Sequence, residues 1–534
     1  MSKKYRSKQQ KSFCTQHEGG NPMTFPRGTR AMLLTALTVG ALSVTGCASS
    51  GSSSTSSPHK DELVIATSFA SQGWSGDSCV SDLQTNPMVY DSLLRIKTPG
   101  GDGVAPAIAK SFSYDSTTHA YTFNIRPGAK FSNGSPVTAK DIVFSMDQWR
   151  SGKISGSYYA TIESETAVST DVVTVQMKQA DSFLPNLLTW CTSTIYPADF
   201  AGMSAKDFFK KPIGAGAYKV VSNTDLTGPS EILTLAPNPY FYGWTSTNKG
   251  IKTVLVKTIS SASQRALQFK AGNIDIIQYV DSATEASVGK SVVVRAKPDQ
   301  LDAVLANLKS GPTTDPNLRK AIAAAIDRTA IATALADGSE AAEGILPVNV
   351  PGSTPPSTPY QTNIAAAKDL MKKSKYPGGV TLNYLYDPSD KTQDTIAQVL
   401  ASQLKAIGIT LKLATADGNT VTTKQSSGDF ELTTTMPTAI SPTIFDPISY
   451  YQAAAYPYSG ADMTVIDSVF LKGTATTDLT KQEAYAREFQ DDALSQNAVI
   501  GVVAVRASWA VQPWVKGFNG LQYAFFYADP VTTG

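Results

Sequence analysis

Strand-like and helix-like patterns of apolar residues alternate along the body of the chain, and this alternation limits the fold more than any other feature. Apolar and polar residues alternate over 121–125 and 173–177, as they do in half-buried strands. Over 396–407 the apolar residues recur at helical spacing, and Gly408 is a typical helix-ending residue. An apolar strand pattern, 409–413, follows at once. The sequence therefore predicts a mixed α/β protein, and 534 residues allow about two to four domains.

Polar residues predict where three of the helices begin. Asp315 followed by Pro316 is typical of an N-cap with proline at the first helical position. Thr138 and Thr480 each precede an acidic residue by three positions, which is the spacing of a capping box. We expect helices to begin directly after these three capping residues.

Composition and charge exclude several functional classes. With 42% hydrophobic and 17% charged residues, the chain has the makeup of a soluble globular protein. Seven of the 46 basic residues lie in 1–46, so the rest of the chain has 39 basic and 43 acidic residues, which argues against nucleic-acid binding. The chain has three histidines and no HExxH, CxxC, GxSxG or Walker A motif. We therefore expect no metal site, no cofactor and no enzymatic activity.

Two weaker patterns could indicate catalysis or nucleotide binding, and neither is complete. Asp275 and Asp281 could act as acid and base in a secreted hydrolase, but nothing fixes them at a bond-cleaving separation. Gly214 and Gly216 resemble part of a phosphate-binding loop, but the third glycine is missing. We interpret these glycines as a tight turn.

The N-terminus has the pattern of a secretion signal. Arg27 and Arg30 precede the apolar stretch 31–44, which suits a signal peptide and is too short for a membrane span. Cys47 directly follows the small residues at its end, an arrangement similar to a bacterial lipobox, in which the cysteine is lipidated. An ordinary signal peptide with a chance cysteine is the alternative.

The mature protein is therefore expected outside the cytoplasm. We predict a signal peptide over 1–46, with Met23 as an alternative start, and a lipidated cysteine with a Ser-rich tether over 47–59. Such a protein is secreted across the bacterial cytoplasmic membrane and is anchored to its outer face by the lipid.

Two cysteines, Cys79 and Cys191, remain in the predicted mature chain besides the lipidated one. They could pair in an oxidising compartment. Two free buried thiols are the alternative.

Seven strings of residues, taken together and in order, resemble one protein family. The longest are 121–145, which contains a strand, an Asn-Gly turn and a helix start, and 317–328. The others are 87–95, 103–112, 211–218, 238–243 and 272–275. Over about 60–530 the chain resembles the peptide- and nickel-type solute-binding lipoproteins of ABC importers, known as family 5.

This resemblance implies a two-lobe α/β fold of the periplasmic-binding-protein type (type II, the large cluster C form), with hinge strands between the lobes. We expect the chain to cross between lobes near 274–279 and to return near 499–505. Lobe I would then comprise 60–275 plus 500–534, and lobe II 276–498.

The resemblance also implies a function without catalysis. A monomeric protein of this family captures a solute between its lobes and delivers it to the permease and ATPase subunits of an ABC importer. Bound solute favours the closed arrangement of the lobes. A lipoprotein that senses a ligand for a receptor and a secreted hydrolase are the alternatives.

Loops at the expected cleft supply candidate ligand contacts. Aromatic side chains there would offer flat apolar area with a polar tip, and ordinary packing is the alternative for each. The candidates are Phe69, Trp74, Tyr158, Tyr159 and Trp190 from lobe I, and Tyr386, Asp387, Met436, Thr443 and Asp446 from lobe II.

One position departs from the peptide-binding members of the family. Those members place an aspartate four residues before the proline of an Asp-Pro pair, where it binds the peptide's α-ammonium group. Here the pair is Asp446-Pro447, and Thr443 occupies that position. Because a hydroxyl cannot form the charge-assisted bond that a buried ammonium needs, we expect a small polar organic solute, with a peptide as the alternative.

Overall fold

The computed structural model describes the body of the chain. The described residues are 61–68, 70, 73–76, 85–97, 103–153, 155–225, 228, 230–518, 520 and 527–533. They belong to a single unit, 55–534, whereas the other unit, 1–54, lies outside them. Four features that the sequence predicts lie outside the described residues. They are the signal peptide, Cys47 with its tether, Phe69 and Cys79. None of the helices described has the length and apolar character needed to cross a bilayer.

The described strands form sheets of seven, six, four, two and two strands. In chain order they are β1 (Glu62–Thr67), β2 (Leu94–Ile96), β3 (Val104–Pro106), β4 (Ala109–Asp115), β5 (Ala120–Ile125), β6 (Ile162–Ala167), β7 (Val172–Met177), β8 (Tyr218–Thr224), β9 (Ile232–Pro237), β10 (Thr253–Thr258), β11 (Ile276–Gln278), β12 (Val293–Arg295), β13 (Gln300–Ala306), β14 (Glu340–Ala341), β15 (Val380–Tyr386), β16 (Ile409–Thr415), β17 (Leu432–Thr435), β18 (Val499–Val505), β19 (Ser508–Val511), β20 (Val515–Lys516) and β21 (Thr532–Thr533).

Helices alternate with these strands, which confirms the α/β class. In chain order they are α1 (Asn86–Val89), α2 (Ala139–Ser151), α3 (Leu184–Leu187), α4 (Ala205–Phe208), α5 (Ala262–Lys270), α6 (Ser282–Val288), α7 (Pro316–Ala325), α8 (Arg328–Leu335), α9 (Ile364–Lys373), α10 (Lys391–Lys405), α11 (Gly418–Ser427), α12 (Phe445–Tyr450), α13 (Tyr456–Ser459), α14 (Thr464–Thr474) and α15 (Leu479–Gln496).

Two of the three predicted helix starts are correct. The carboxylate of Asp141 accepts the backbone N–H of Thr138 at 2.7 Å, and α2 begins at the next residue. Asp315 accepts the N–H groups of the first turn of α7. The third start is wrong by two residues, because Asp478 rather than Thr480 is the N-cap of α15.

The seven-stranded sheet has the order β12-β19-β11-β1-β10-β9-β8. β1 lies at its centre, parallel to both β10 and β11. All residues of β1 after Glu62 are buried, which explains its uninterrupted apolar sequence. This sheet forms the core of lobe I.

The six-stranded sheet has the order β14-β18-β13-β17-β15-β16 and belongs to lobe II. β13 and β18 pair antiparallel, and β15 runs parallel to β16 and β17. β18 is buried over its first six residues, again in agreement with its apolar sequence.

The chain passes between the two sheets at 296–299 and at 506–507. β11 and β12 still belong to the seven-stranded sheet, whereas β13 and β18 belong to the six-stranded one. The first passage thus lies about 20 residues after the predicted crossing at 274–279, and the second just after 499–505. The apolar sequences of these strands suit either sheet, so local pattern alone did not locate the passage.

A four-stranded antiparallel sheet, β4-β5-β7-β6, is inserted in the chain between β1 and β8. β5 and β7 have the predicted alternation, with every second residue buried. Ile142, Met146 and Trp149 of α2 are buried in the same core. This part of lobe I carries three of the candidate ligand residues, Tyr158, Tyr159 and Trp190.

A contact joins this inserted region to α14 of lobe II. The rings of Phe183 and Phe470 are T-shaped, with centroids 5.9 Å apart. The backbone N–H of Ser182 donates to the carbonyl of Thr474 at 2.5 Å, and its hydroxyl donates to that of Thr476 at 2.9 Å. The two lobes therefore touch through backbone and side-chain atoms that are distant in sequence from the passages between the sheets.

Gly214 and Gly216 lie in a bend before β8 and permit a close backbone approach. A Cβ on Gly214 would lie 2.0 Å from the carbonyl oxygen of Val89. The N–H of Gly216 donates to that same carbonyl at 3.0 Å. The two glycines thus serve packing against α1, in place of the phosphate contact that their spacing superficially suggests.

Candidate functional site

Two of the predicted ligand residues, Tyr158 and Trp190, contact each other. Their rings are T-shaped, with centroids 5.0 Å apart. Tyr158 follows the 3-10 turn Ser155–Ser157, and Trp190 lies between α3 and the 3-10 turn Cys191–Ser193. Loops thus carry both rings, and the inserted sheet and α2 support these loops.

Residues of α12 face Tyr158 from lobe II. Burial, together with the nearby carboxylate of Asp446 and hydroxyl of Tyr450, raises the pKa of Tyr158 to about 12. The phenol therefore remains protonated at neutral pH and can donate a hydrogen bond. The structure thus places Tyr158 of lobe I, whose ring contacts that of Trp190, near Asp446 of lobe II.

Asp446 is buried and closes the loop that precedes α12. Its Oδ2 accepts the N–H groups of Ile440 (2.5 Å) and Ser441 (2.7 Å) and the hydroxyl of Ser441 (3.1 Å). Burial outweighs these hydrogen bonds and raises the pKa of the carboxyl to about 8. Oδ2 already accepts three hydrogen bonds, so the proton that the carboxyl keeps at neutral pH lies on Oδ1, to which no described residue donates, and Oδ1 can donate a hydrogen bond to a solute.

Thr443 takes part in the same loop. Its side chain is 6% exposed, and its Oγ1 accepts the N–H of Phe445 at 3.4 Å. Thr443 therefore offers a hydroxyl, and Asp446 offers a carboxyl that is protonated at neutral pH, on the lobe II side of the site.

Tyr450, which the sequence analysis missed, connects this site to the end of β17. Its hydroxyl lies 3.1 Å from Oγ1 of Thr435 and also contacts the backbone of Met436. Tyr450 follows Asp446 by four residues, so the two share one helix face. Tyr450 could have been predicted from the sequence as an aromatic residue four positions after the candidate Asp446.

The remaining lobe II candidates lie around the N-terminus of α10. The amide of Gln393 donates to the sulfur of Met436 at 3.3 Å, and the hydroxyl of Tyr386 donates to Asp394 at 3.0 Å. Asp387 accepts the N–H of Ser389 at 2.9 Å, as in a local turn. Among the described residues, no hydrogen bond or ring contact links Tyr386 or Asp387 to Tyr158.

Trp74 and Tyr159 lie in the core of lobe I. The ring of Trp74 packs against Tyr90 at 6.2 Å, and that of Tyr159 packs against Trp149 at 5.3 Å. The Tyr159 hydroxyl lies 2.8 Å from Oγ1 of Thr192. These contacts are those of packing, and a direct role for either residue in ligand binding stays a prediction.

Cys191, next to Trp190, takes part in a disulfide bond. The other three cysteines lie outside the described residues, so pairing with Cys79 stays a prediction. A disulfide at this position restrains the turn that holds Trp190.

Comparison with known proteins was made by sequence and by structure. The family model "Bacterial extracellular solute-binding proteins, family 5 Middle" matches residues 103–462. The probable D,D-dipeptide-binding periplasmic protein DdpA of Escherichia coli K12 is 25% identical over 80% of this chain and 85% of its own length. The nickel-binding periplasmic protein of that organism is 22% identical over 75% of this chain and 80% of its own length.

Solved structures share the fold over nearly their whole length. The protein AgaA of A. tumefaciens R10, solved with agropinic acid, covers 89% of this chain and 99% of its own, with 22% identity and a TM-score of 0.77. NikA of Brucella suis, solved with Fe(III)-EDTA, covers 89% and 100%, with 20% identity and a TM-score of 0.76. The two-lobe architecture is therefore that of solute-binding proteins whose ligands differ widely.

Proposed function

Because the chain belongs to family 5 of the bacterial extracellular solute-binding proteins, we propose that it captures a solute between its lobes for an ABC importer. The observation that supports this proposal is that Tyr158, whose ring contacts that of Trp190 in lobe I, lies near enough to Asp446 and Tyr450 of lobe II for burial and their charges together to raise its pKa; we call this region the junction. A solute held there would be delivered to the permease and ATPase subunits. The function requires binding and release, and no covalent step.

We propose a small polar organic solute as the ligand. The aromatic rings of Tyr158 and Trp190 supply flat apolar area, and the protonated carboxyl of Asp446 supplies one hydrogen-bond donor, its Oδ1–H. Thr443 lacks the charge that would hold a peptide's ammonium group. A peptide stays the alternative, because Asp446 is only three residues away and an ammonium group beside it would lower its pKa and favour the carboxylate.

Native mass spectrometry of the purified protein tests the proposal. We expect a co-purified small molecule that disappears on unfolding and that raises the melting temperature when it is added back. Tyr158→Ala should weaken this rise, whereas Tyr240→Ala, at a tyrosine that is 42% exposed, should leave it unchanged. If neither co-purified material nor a panel of peptides, opines and sugars raises the melting temperature of the folded protein, the proposal is wrong.

A further inference from the structure

A cavity of about 20 Å³ adjoins Trp190 on the lobe I side of the junction. Its walls include Asn86 of α1, the following residues Tyr90 and Arg95, and residues 189–191 and 194. Asn86, Tyr90 and Trp190 are at most 2% exposed. The cavity therefore has buried walls, is open on one side, and shares one wall, Trp190, with the proposed solute site.

Five polar atoms on these walls have no hydrogen-bond partner among the described residues. They are Nδ2 and Oδ1 of Asn86, the hydroxyl of Tyr90, Nη2 of Arg95 and Nε1 of Trp190. Native proteins leave only a few such groups per 100 residues, so five around one cavity indicate a partner inside it. Four of the five atoms can donate, which means that this partner must accept hydrogen bonds.

The charges beside the cavity argue against an anion. Nε of Arg95 donates to Asp91 at 2.9 Å, and Nη1 lies 3.3 Å from Asp529. Asp91 also accepts the hydroxyl of Tyr242 at 2.8 Å. Two carboxylates beside one guanidinium leave no unbalanced positive charge. Burial raises the pKa of Tyr90 well above its ordinary value, so its hydroxyl also stays neutral.

We propose that this cavity is a binding site for one neutral oxygen, which accepts hydrogen bonds from Nε1 of Trp190 and Nη2 of Arg95. A volume of about 20 Å³ holds roughly one water-sized group. The oxygen is either an ordered water or a hydroxyl or carbonyl oxygen of the captured solute. Only the second source rests on the proposed function, so the two proposals can fail separately.

Crystal structures of two preparations test the site and identify the source. In protein freed of solute by unfolding, dialysis and refolding, a water within 3.2 Å of both donors, a hydrogen-bond distance, would support the site. In protein as purified, an oxygen continuous with a larger bound molecule would also support it and assign the oxygen to the solute. Absence of density in both preparations overturns the proposal. Anomalous density in the cavity after a bromide soak overturns it as well, because the site would then take an anion.

Asn86→Leu gives a second test, in which the proposal is judged by whether the melting temperature falls or rises. Leucine has nearly the same shape as asparagine but offers the bound oxygen no hydrogen bond. If the cavity holds an oxygen, the substitution should lower the melting temperature by roughly 2–4 °C. If the cavity is dry, removing two unpartnered polar atoms should raise it, which overturns the proposal. Asn124→Leu on β5, whose amide makes an exposed hydrogen bond to Ser111, is the matched control.

Discussion

Asp446 controls the charge of the candidate site, and its titration should be visible in the stability of the protein. An aspartate in an unfolded chain has a pKa of about 3.9, whereas burial raises the pKa of Asp446 in the folded protein to about 8. Between these values the folded protein holds a proton that the unfolded chain has lost. The free energy of unfolding should therefore fall as the pH rises from about 4 to 8, by up to about 1.4 kcal/mol per pH unit.

Asp446→Asn should reduce this fall, because asparagine keeps an oxygen for the three donors and does not titrate. Denaturant unfolding at pH 5, 6, 7 and 8 measures the effect. Asp302, whose pKa burial and the nearby Asp390 also raise to about 8, is the matched comparison, so Asp302→Asn should give a similar change. The prediction would be contradicted if the free energy of unfolding changed equally with pH in the wild type and in both variants.

Thr443 should decide whether the site binds a ligand that carries an ammonium group. Without a carboxylate at that position, free dipeptides and tripeptides should bind about 30-fold to several thousand-fold more weakly than the native solute, since a buried charge-assisted bond is worth about 2–5 kcal/mol. Calorimetric titration with a mixed peptide panel measures this difference.

If a peptide nevertheless binds tightly, Asp446 is the residue that would hold its ammonium group, and Asp446→Asn should then abolish binding. Asp387→Asn is the control, because Asp387 accepts a hydrogen bond within its own turn. A submicromolar peptide that binds both variants equally well would show that the loop before α12 has been misinterpreted.

Individual residues of the candidate site could be predicted from the sequence only by the type of side chain, such as an aromatic ring in a loop. Tyr158 and Trp190 were predicted as aromatic residues in loops at the expected cleft, and their rings are in contact, although Trp190 is as buried as Trp74. Trp74 and Tyr159 were predicted for the same reason, as aromatic residues in loops, and both lie in the core. An aromatic residue in a loop suits a pocket and a core equally well, and the distinction depends on neighbours distant in sequence.

Among the elements, the turn around Cys191 carries a constraint that sequence alone could not establish. The predicted pairing with Cys79 closes a loop of about 112 residues, for which the entropy model gives roughly 4–5 kcal/mol of stabilisation. Cys191→Ser should therefore lower the free energy of unfolding by several kcal/mol and loosen Trp190. Peptide mapping under non-reducing, denaturing conditions identifies the partner. A linked peptide that lacks residue 79 would disprove the pairing.

Element types were largely predictable because local chemistry decides them. The alternation in β5 and β7 and the caps of α2 and α7 depend on residues a few positions apart. The start of α15 was mistaken because Asp478 and Thr480 can both accept N–H groups of a first turn. A carboxylate is the stronger acceptor, and here it is the cap.

For the whole molecule, attachment to the membrane is predicted to depend on Cys47. Replacing it with serine removes the lipidation site, and neither the 14-residue apolar stretch 31–44 nor any helix in the described part of the chain is long enough to span the bilayer in its place. Cys47→Ser should therefore move the protein from the membrane fraction to the soluble fraction of a cell lysate. Retention in the membrane pellet after a carbonate wash would contradict the lipoprotein prediction.

Closure of the two lobes is the property that no local pattern predicts, because the contacts that stabilise it join residues almost 300 positions apart. Ser182 and Phe183 of lobe I meet Phe470 and the end of α14 in lobe II, whereas the covalent links between the sheets lie at 296–299 and 506–507. If the lobes hinge about those links, the Phe183–Phe470 contact exists only in the closed form. Removing it should then shift the population towards the open form without unfolding either lobe.

Phe470→Ala tests this coupling. An aromatic pair contributes about 0.5–1.5 kcal/mol beyond area burial, so the affinity for the co-purified solute should fall roughly 2- to 12-fold. The radius of gyration of the solute-free protein in X-ray scattering should increase at the same time. Phe112→Ala, which removes a ring stacked on Phe123 within lobe I, should reduce stability but change neither quantity. Equal losses of affinity in the two variants would show that stability, and not lobe closure, governs binding.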